Sequence, residues 1–445
     1  MRSTFFINQP NIFREGKSDI IFQFQYYQIV RFVSSVLVSI MMVKSGLAKD
    51  LLGEYELAIF LIQLLTMAWS VGIKNGLVSY FPTLPESIKA GFLNGVFLVL
   101  LGLSSLVGLI WYMCYDPFQQ FLLGDSGKPP SLIVLLYAIL SVPIILVEVV
   151  LYLRSEAISL FRYSNVSAAA QLVLVAIALL YRPDLETIFF ALLIWNVLRL
   201  IYLILLLGIK DFSLVDWSVI RHFLLFSLPL IFNMVLGYGM DYIDGIFVTH
   251  YFDASFFPVF RYGARELPLV SVLFASLSVA MIPILMKEGI GCKIVRIRST
   301  RLMHFAFPIA IVLMCMSSWL FTTFYSEAFR DSAYIFNVYL LILTSRVFLP
   351  QVFNLALHQH AIINIATIIE LVSNVVLSYT LVSDFGVMGL AMATVIAYAV
   401  QKVILIVYNY RVNGIKLSSY IDLRWYIGYS CVLISVFIYV NYFNV

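Results

Sequence analysis

Apolar stretches of about twenty residues, separated by short polar segments, run along almost the whole chain. An α-helix needs about 20 mainly apolar residues to cross the hydrocarbon core of a bilayer, which is roughly 30 Å thick. The pattern therefore predicts thirteen transmembrane helices. They are expected near residues 20–43, 54–81, 91–115, 131–153, 163–181, 186–208, 219–250, 261–286, 302–325, 333–357, 361–382, 386–410 and 425–443.

The composition agrees with this pattern, since 62% of the residues are hydrophobic and only 12% are charged. A soluble domain with a polar surface does not have such a composition. The predicted fold class is an all-α polytopic membrane protein with two six-helix bundles and one extra helix. The predicted boundaries are a cytoplasmic segment 1–19, a first bundle 20–210, a second bundle 211–410 that contains a basic loop at 287–301, and a linker with the thirteenth helix at 411–445.

The basic residues between the predicted helices indicate the orientation of the chain. If the N-terminus is cytoplasmic, six of the 28 Lys and Arg lie within spans, six lie outside the cell, and 28 − 6 − 6 = 16 lie on the cytoplasmic side. The outward six are Lys44, Lys49, Lys128, Arg182, Arg261 and Arg330. Because short cytoplasmic loops are rich in Lys and Arg, this bias predicts a cytoplasmic N-terminus and a C-terminus on the outside. The first 19 residues lack the features of a cleaved signal peptide.

Motifs for catalysis or for tightly bound cofactors are missing from the sequence. It has no phosphate-binding loop and no His-Glu-x-x-His motif, and its polar segments are too short to form an ATPase domain. The four cysteines are scattered and give neither a disulfide pattern nor a metal site. The basic loop 287–301 is interpreted as a cytoplasmic linker between the two halves, in preference to a nucleic-acid or lipid-headgroup site, and no nucleic-acid partner is expected. We therefore expect a protein that is not an enzyme and has no cofactor or metal.

Charged residues within the predicted spans are the main candidates for function, because a charge at mid-bilayer usually faces a cavity or a partner. The acidic residues are Glu148, Asp241, Asp244, Glu266 and Glu370, and the basic residues are Arg31, Lys74, Arg199, Arg265, Arg346 and Lys402. Glu148 and Lys402 lie near helix ends and are interpreted as snorkelling towards water. The first half is net basic, which suits an anionic substrate such as a diphosphate. The alternative is internal pairing, for instance of Arg265 with Asp241 or Asp244.

The seventh predicted helix combines helix-loosening residues with a pair of carboxylates. Pro229, Asn233, Gly237 and Gly239 interrupt the apolar span shortly before Asp241 and Asp244. Their i, i+3 spacing places the two carboxylates on one helix face. Loosened helices beside carboxylates are typical of hinges and coupling-ion sites in secondary transporters. The two carboxylates either bind Na⁺, share a proton, or neutralise Arg265.

Three motifs resemble those of one transporter superfamily. The first is Gly53-Glu-Tyr55 at the start of helix 2, with Tyr80-Phe-Pro82 at its end. The second extends from Leu228-Pro229 through Asp241 and Asp244 to Tyr262-Gly-Ala-Arg-Glu-Leu-Pro268, and the third is Phe385-Gly-Val-Met-Gly-Leu-Ala-Met-Ala-Thr394. By these motifs the chain resembles the multidrug/oligosaccharidyl-lipid/polysaccharide exporter superfamily, in its polysaccharide-flippase branch. A matching glycine motif before helix 6 is absent, and one thirteenth helix replaces the final pair of 14-helix relatives.

The resemblance implies a V-shaped central cavity and alternating access in the cytoplasmic (inner) membrane. It also implies transport of an undecaprenyl-diphosphate-linked oligosaccharide to the outer leaflet for surface polysaccharides such as O-antigen, driven by a Na⁺ or H⁺ gradient or the membrane potential. A polysaccharide polymerase and glycosyltransferases would be further partners. The candidate substrate-binding residues are Arg31, Lys74, Arg265, Arg199 and Arg346, and the candidate coupling or gating residues are Asp241, Asp244, Glu266 and Glu370.

Two other functions remain open at this point. A multidrug antiporter of the same superfamily would be expected to have a mainly acidic cavity. A membrane-embedded polymerase or glycosyltransferase would use the same lipid, but it would need a large outward loop with catalytic carboxylates. The longest outward segment, about residues 115–130, offers only Asp116, Asp125 and Lys128.

Overall fold

The computed structural model describes residues 15–116, 130–208, 215–264 and 292–443, together with Phe274, Leu277, Ser278, Met281, Ile282 and Leu285. Within these residues the chain forms helices and connecting turns without any β-strand. The α-helices are α1 Glu15–Lys44, α2 Lys49–Tyr80, α3 Glu86–Met113, α4 Leu132–Ser141, α5 Ile145–Leu153, α6 Ala157–Tyr181, α7 Leu185–Leu207, α8 Trp217–Tyr251, α9 Phe257–Gly263, α10 Cys292–Phe324, α11 Arg330–Leu340, α12 Leu343–Arg346, α13 Gln351–Ala356, α14 His360–Arg411, α15 Leu417–Tyr420 and α16 Leu423–Ile438.

Ten helical segments of the described chain are long and apolar enough to cross a membrane. Many of their apolar side chains are exposed, and Val166, Leu205 and Leu180 are 68%, 74% and 87% exposed. Apolar surface of this extent is found where a protein contacts lipid or a partner, and not on a soluble monomer. The predicted all-α multi-pass membrane fold is thereby confirmed.

Two predicted spans are broken by short non-helical turns. The span predicted at 131–153 consists of α4 and α5, with Pro143 in the turn between them. Proline has no backbone N–H and therefore interrupts the helical hydrogen bonds. The span predicted at 333–357 consists of the short helices α11, α12 and α13, and Pro350 precedes the last of them. The span predicted at 261–286 lies largely outside the described residues, so the count of thirteen helices stays a prediction.

Helix α14 contains the two spans predicted at 361–382 and 386–410. Its 52 residues include one non-helical residue, Gly386, with φ 57° and ψ −139°. Residues with a side chain rarely adopt this backbone conformation, whereas glycine adopts it at little cost. At about 1.5 Å per residue, the part of α14 on each side of Gly386 is long enough to cross roughly 30 Å of hydrocarbon. The glycine motif therefore joins two membrane spans.

Helix α8 is helical from Trp217 to Tyr251, and Pro229 lies inside it. The proline leaves one carbonyl oxygen without its usual i to i−4 hydrogen bond. Gly237 has no atom within 4 Å of the position that a Cβ would occupy. The backbone of α8 is thus locally weakened, as the sequence predicts, but it remains a continuous helix.

The chain divides into two compact units. Unit 1 contains the described residues of Met1–Leu47, Leu61–Tyr115 and Pro129–Met234, and unit 2 contains those of Ala48–Phe60, Asp116–Lys128 and Val235–Val445. In unit 1, α1 packs on α6, and α7 packs on α4 and α6. In unit 2, α11 packs on α9, α10 and α14, while α16 packs on α10. The sequence-based boundaries at residues 210 and 410 stay predictions.

Candidate functional site

Three charged side chains of unit 1 converge on one buried position. Glu148 of α5 is only 1% exposed, and the Nζ atom of Lys74 in α2 donates a hydrogen bond to its Oε1 atom. The Nη1 atom of Arg31 in α1 lies 3.8 Å from the Oε2 atom of the same carboxylate. We call these three residues the Glu148 cluster. It brings together two of the five residues that the sequence predicts to bind substrate.

Glu148 and Lys402 do not snorkel towards water, and that interpretation of the sequence is wrong. Glu148 is buried against two cations, as described above. Lys402 of α14 is 4% exposed; its Nζ atom donates to Gln351 Oε1 at 3.3 Å and lies 4.5 Å from the centroid of the Tyr398 ring. Proximity to a helix end suggested an extended side chain, whereas packing between helices supplies a polar partner inside the protein.

Aromatic rings surround the Glu148 cluster. Lys74 Nζ lies 5.2 Å from the centroid of the Phe24 ring, a distance typical of a cation–π contact. Tyr27, one turn after Phe24 in α1, is buried and lies close to the Glu148 carboxylate. The Tyr27 ring stacks on Tyr163 of α6, with centroids 6.0 Å apart. The rings therefore pack beside the charged groups of the cluster.

Arg199 is linked to the cluster through these tyrosines. Its Nε atom donates to the hydroxyl of Tyr163 at 2.8 Å, and its guanidinium carbon lies 4.3 Å from the centroid of the Trp195 ring. A contact path therefore runs from Glu148 through Tyr27 and Tyr163 to Arg199. The sequence predicted Arg199 but missed the supporting aromatic residues, because aromatic side chains are common in membrane helices and carry no distinctive spacing.

The cluster carries an excess of positive charge. Of Arg31, Lys74, Glu148 and the linked Arg199, three side chains are formally cationic and one is a carboxylate. Full internal neutralisation would need three carboxylates. Arg31 is also 46% exposed in its side chain, so part of its guanidinium group is accessible. Chemically, such a group of cations can bind a phosphate or diphosphate through charge-assisted hydrogen bonds.

A second polar group lies inside unit 2 and is built around Asp244 of α8. Asp244 is 4% exposed, and its Oδ2 atom accepts hydrogen bonds from the hydroxyls of Tyr339 at 2.6 Å and Thr394 at 2.5 Å. Asn374 donates to the Thr394 hydroxyl at 2.9 Å, and Ser378 donates to Asn374 Oδ1 at 3.1 Å. We call these five residues the Asp244 network.

The Asp244 network is rich in oxygen atoms and contains no cation among the residues that the structure describes. The Oδ1 atom of Asp244 has no hydrogen-bond partner there. Burying an ionised carboxylate is costly unless it is hydrogen-bonded, paired or protonated. The sequence pointed to Asp244, but it missed Tyr339, Asn374 and Thr394. In the sequence, these residues could have been found as polar side chains inside apolar helices. Thr394 is also the last residue of the glycine motif.

Two of the remaining predicted residues, Arg346 and Glu370, lie in the described part of unit 2. Arg346 of α12 lies over the Tyr398 ring, with its guanidinium carbon 5.4 Å from the centroid, and Glu370 is buried in α14. Arg265, Glu266 and the side chain of Asp241 lie outside the described residues. The predicted pairing of Arg265 with Asp241 or Asp244 therefore stays a prediction. The described residues contain no group of His, Cys, Asp and Glu side chains that could hold a metal ion.

Comparison with known proteins identifies the fold. No protein-family model and no curated protein sequence matches the chain. The lipid II flippase MurJ, in its inward closed conformation, matches with a TM-score of 0.70 and 18% sequence identity over 94% of this chain and 93% of that protein.

More distant matches are transporters of the multidrug/oligosaccharidyl-lipid/polysaccharide (MOP) superfamily. A MOP superfamily transporter from Pyrococcus furiosus has a TM-score of 0.56 and 14% identity over 94% of this chain and 96% of that one. The Vibrio cholerae MATE transporter VcmN in its bent form has a TM-score of 0.53 and 15% identity over 96% of this chain and 100% of that one. The chain has the MOP transporter fold, as its sequence motifs implied.

Proposed function

We propose that this protein is a flippase that moves a polyprenyl-diphosphate-linked oligosaccharide from the inner to the outer leaflet of the cytoplasmic membrane. The observation that carries the proposal is the excess of positive charge at the Glu148 cluster, where one buried carboxylate serves two cations and Arg199 adds a third. A diphosphate carries the negative charge and the oxygen acceptors that suit such a group of cations. The fold likeness to a lipid II flippase supports the same substrate class.

In this proposal Arg31 and Arg199 contact the diphosphate, and Lys74 holds Glu148 while contributing to the positive potential. The half-exposed guanidinium group of Arg31 is suited to bidentate binding of phosphate oxygens. Trp195 and Tyr163 orient Arg199 by a cation–π contact and a hydrogen bond. Arg265 and Arg346 remain proposed contacts on the basis of the sequence. The product serves surface polysaccharide synthesis, of which O-antigen is one case.

The binding step is tested with purified protein and undecaprenyl diphosphate as the probe. Arg31→Gln and Arg199→Gln are each expected to weaken binding by about tenfold, which corresponds to about 1.4 kcal/mol. Lys89→Gln is the matched control, because Lys89 is also a cation of unit 1 but pairs with the exposed Glu86. The proposal is rejected if Arg31→Gln and Arg199→Gln both bind the probe as the wild type does, or if Lys89→Gln weakens binding equally.

The transport step is measured in proteoliposomes with a fluorescent lipid-linked oligosaccharide. Wild-type protein is expected to move the labelled lipid between leaflets, and Arg31→Gln to slow this movement. The second candidate function, a multidrug antiporter, is favoured by the fold likeness to MATE transporters. Transport of a cationic dye without movement of the labelled lipid would establish that alternative.

We also propose that Asp244 is the coupling carboxylate, alternately binding a cation or proton and releasing it. Its support is the buried network of oxygen atoms around a carboxylate that has no cationic partner in the described chain. Asp241, Glu266 and Glu370 are proposed to assist in coupling or gating. Oxygen ligands suit Na⁺, and a hydrogen-bonded carboxylate equally suits a proton, so both gradients are to be tested.

Coupling is tested by imposing a Na⁺ or H⁺ gradient on the proteoliposomes. Asp244→Asn is expected to abolish the response of transport to the gradient while the protein still folds. Asp253→Asn is the control, because Asp253 is an exposed carboxylate just beyond the end of α8. If Asp244→Asn with Arg265→Gln restores gradient-driven transport, Asp244 neutralises Arg265 and has no coupling role.

A further inference from the structure

Helix α10 has two faces with different surroundings. One face packs on the C-terminal helices: Arg296 Nη2 donates to Asp422 Oδ2 at 2.8 Å, and Ser299 donates to the carbonyl oxygen of Tyr420 at 3.2 Å. Further along the same face, the Phe307 ring stacks on Tyr429 with centroids 5.4 Å apart. These contacts fix the rotation of α10 about its axis. They therefore also determine which residues lie on its opposite face.

The other face of α10 lines an open groove. Arg298, Arg301, Leu302 and Phe305 line it together with Leu277, around a volume of about 610 Å³. The four α10 residues have i, i+3, i+4 and i+7 spacing, which places them along one helix face. The groove therefore belongs to the structure of α10 and does not depend on a single side-chain position.

The two arginines that line the groove differ from the neighbouring Arg296 in their pairing with carboxylates. Arg296 pairs with Asp422, whereas no carboxylate in the described part of the chain pairs with Arg298 or Arg301. Both arginines are exposed. Two guanidinium groups one turn apart can hold the oxygens of a single phosphate through charge-assisted hydrogen bonds.

Polar and apolar residues follow one another along the groove in a defined order. The arginines lie in the polar first part of α10, and from Leu302 onward the helix is mainly apolar, with His304 as the one polar residue before Ser317. Phe305, one turn beyond Arg301, is 49% exposed. A phospholipid has the same order, with an anionic phosphate at the membrane surface and acyl chains that enter the hydrocarbon.

We propose that this groove binds one anionic phospholipid of the surrounding membrane. The phosphodiester binds Arg298 and Arg301, and an acyl chain lies along Leu277, Leu302 and Phe305. The basic first part of α10 then contributes a lipid-binding site. The site lies in unit 2 and shares no residue with the Glu148 cluster or the Asp244 network, so it goes beyond the proposed transport function.

The test compares lipid binding to the full chain by native mass spectrometry, with phosphatidylglycerol and phosphatidylcholine as probes. The wild type is expected to retain phosphatidylglycerol at least tenfold better than phosphatidylcholine. Arg298→Gln with Arg301→Gln is expected to remove this preference. Lys293→Gln with Arg411→Gln is the control, because it removes two exposed positive charges of unit 2 that do not line the groove.

A second variant and a competitor test whether the groove recognises the acyl chain as well as the phosphate. Phe305→Ser keeps both arginines and is expected to weaken phosphatidylglycerol binding by a few fold, and millimolar inorganic phosphate is expected not to compete. Unchanged binding in the double Arg variant, or equal loss in the control variant, overturns the proposal. Competition by inorganic phosphate, with no effect of Phe305→Ser, also overturns it and leaves only a simple anion site. Thermal unfolding of each variant shows whether it is folded.

Discussion

Lys74 and Glu148, 74 residues apart in the sequence, form a direct hydrogen-bonded ion pair inside unit 1. The Glu148 side chain is almost completely buried, and the Lys74 side chain is 16% exposed. A buried charge is tolerated only with a close partner of opposite sign and further hydrogen bonds. The pair therefore connects α2 with α5, and the neighbouring Arg31 of α1 lies near the same carboxylate.

The first prediction concerns this ion pair. Glu148→Gln is expected to destabilise the protein by about 3 to 5 kcal/mol, because it leaves the partly buried Lys74 without its negative partner. Glu86→Gln is the matched control, since it removes a Glu that pairs with a Lys at the surface and is 88% exposed; its cost is expected at about 0 to 1 kcal/mol. Thermal unfolding in detergent measures both effects.

A double-mutant cycle then identifies the cause. Lys74→Met combined with Glu148→Leu is expected to be more stable than the sum of the single changes predicts, by about 1 to 3 kcal/mol. Additive effects would mean that the two side chains do not interact energetically, and would contradict the interpretation of the pair as a structural link.

The second prediction concerns the hydroxyl of Thr394, which lies between Asp244 and Asn374. Thr394→Val keeps the shape of the side chain but removes one of the two hydrogen bonds to Asp244 Oδ2 and the acceptor of the Asn374 amide, at a cost of about 1 to 3 kcal/mol. Thr394→Ser retains the hydroxyl and is expected to cost less. Thermal unfolding of the two variants checks the order, and equal stability would show that the hydroxyl does not hold the Asp244 network together.

The third prediction compares two helical glycines. A Cβ at Gly53 would lie 2.2 Å from the carbonyl oxygen of Ala254, whereas a Cβ at Gly237 would have no atom within 4 Å. Gly53→Ala is therefore expected to destabilise the protein, because backbone atoms must move apart. Gly237→Ala is expected to stabilise it by up to about 1 kcal/mol, because alanine favours the helix. A slower transport rate in Gly237→Ala would further indicate that the weakened segment of α8 moves during the cycle.

The fourth prediction concerns pH and the start of α7. Asp184 accepts a hydrogen bond from the backbone N–H of Thr187 at 2.7 Å, and this bond, with the nearby Arg182, lowers the pKa of the Asp184 carboxyl. Because the folded-state pKa is lowered, the stabilisation is present above the unfolded value near 3.9 and is lost as the pH falls through the folded value. The difference in stability between the wild type and Asp184→Ala, about 0.5 to 2 kcal/mol at pH 7, is expected to shrink below pH 4. A difference that does not change with pH would contradict the assignment.

The fifth prediction concerns orientation in the membrane. The distribution of Lys and Arg predicts that the basic segment 287–301 is cytoplasmic and that Val445 is outside. Alkaline phosphatase fused after Val445 is expected to be active, and the same enzyme fused after Lys293 to be inactive. Equal activity of the two fusions would show that the number of spans between these points differs by one from the prediction, and the broken helices α11 to α13 are where such a difference would arise. Reversal of both activities would show that the chain has the inverted orientation.

The sequence by itself determined the membrane-spanning helices and the residues that carry charge inside them. Both are local properties, because the length of an apolar stretch decides whether one helix crosses the bilayer. The glycine motif that ends at Thr394 was also readable, since Gly386 is needed for the turn between two spans whatever surrounds it. These features require no knowledge of which helices are neighbours.

Only the tertiary structure decided which charged and polar groups meet. Glu148 was misread because its distance from a helix end was visible in the sequence, while its ion pair with Lys74 was not. Likewise, Asp244 lies 95 residues from Tyr339 and 150 residues from Thr394, and both donate to it. Such contacts depend on how each helix is rotated and packed against others, and many rotations satisfy the same apolar pattern in lipid. The buried polar contacts select one of them, because an unpaired polar group inside the membrane is too costly to leave.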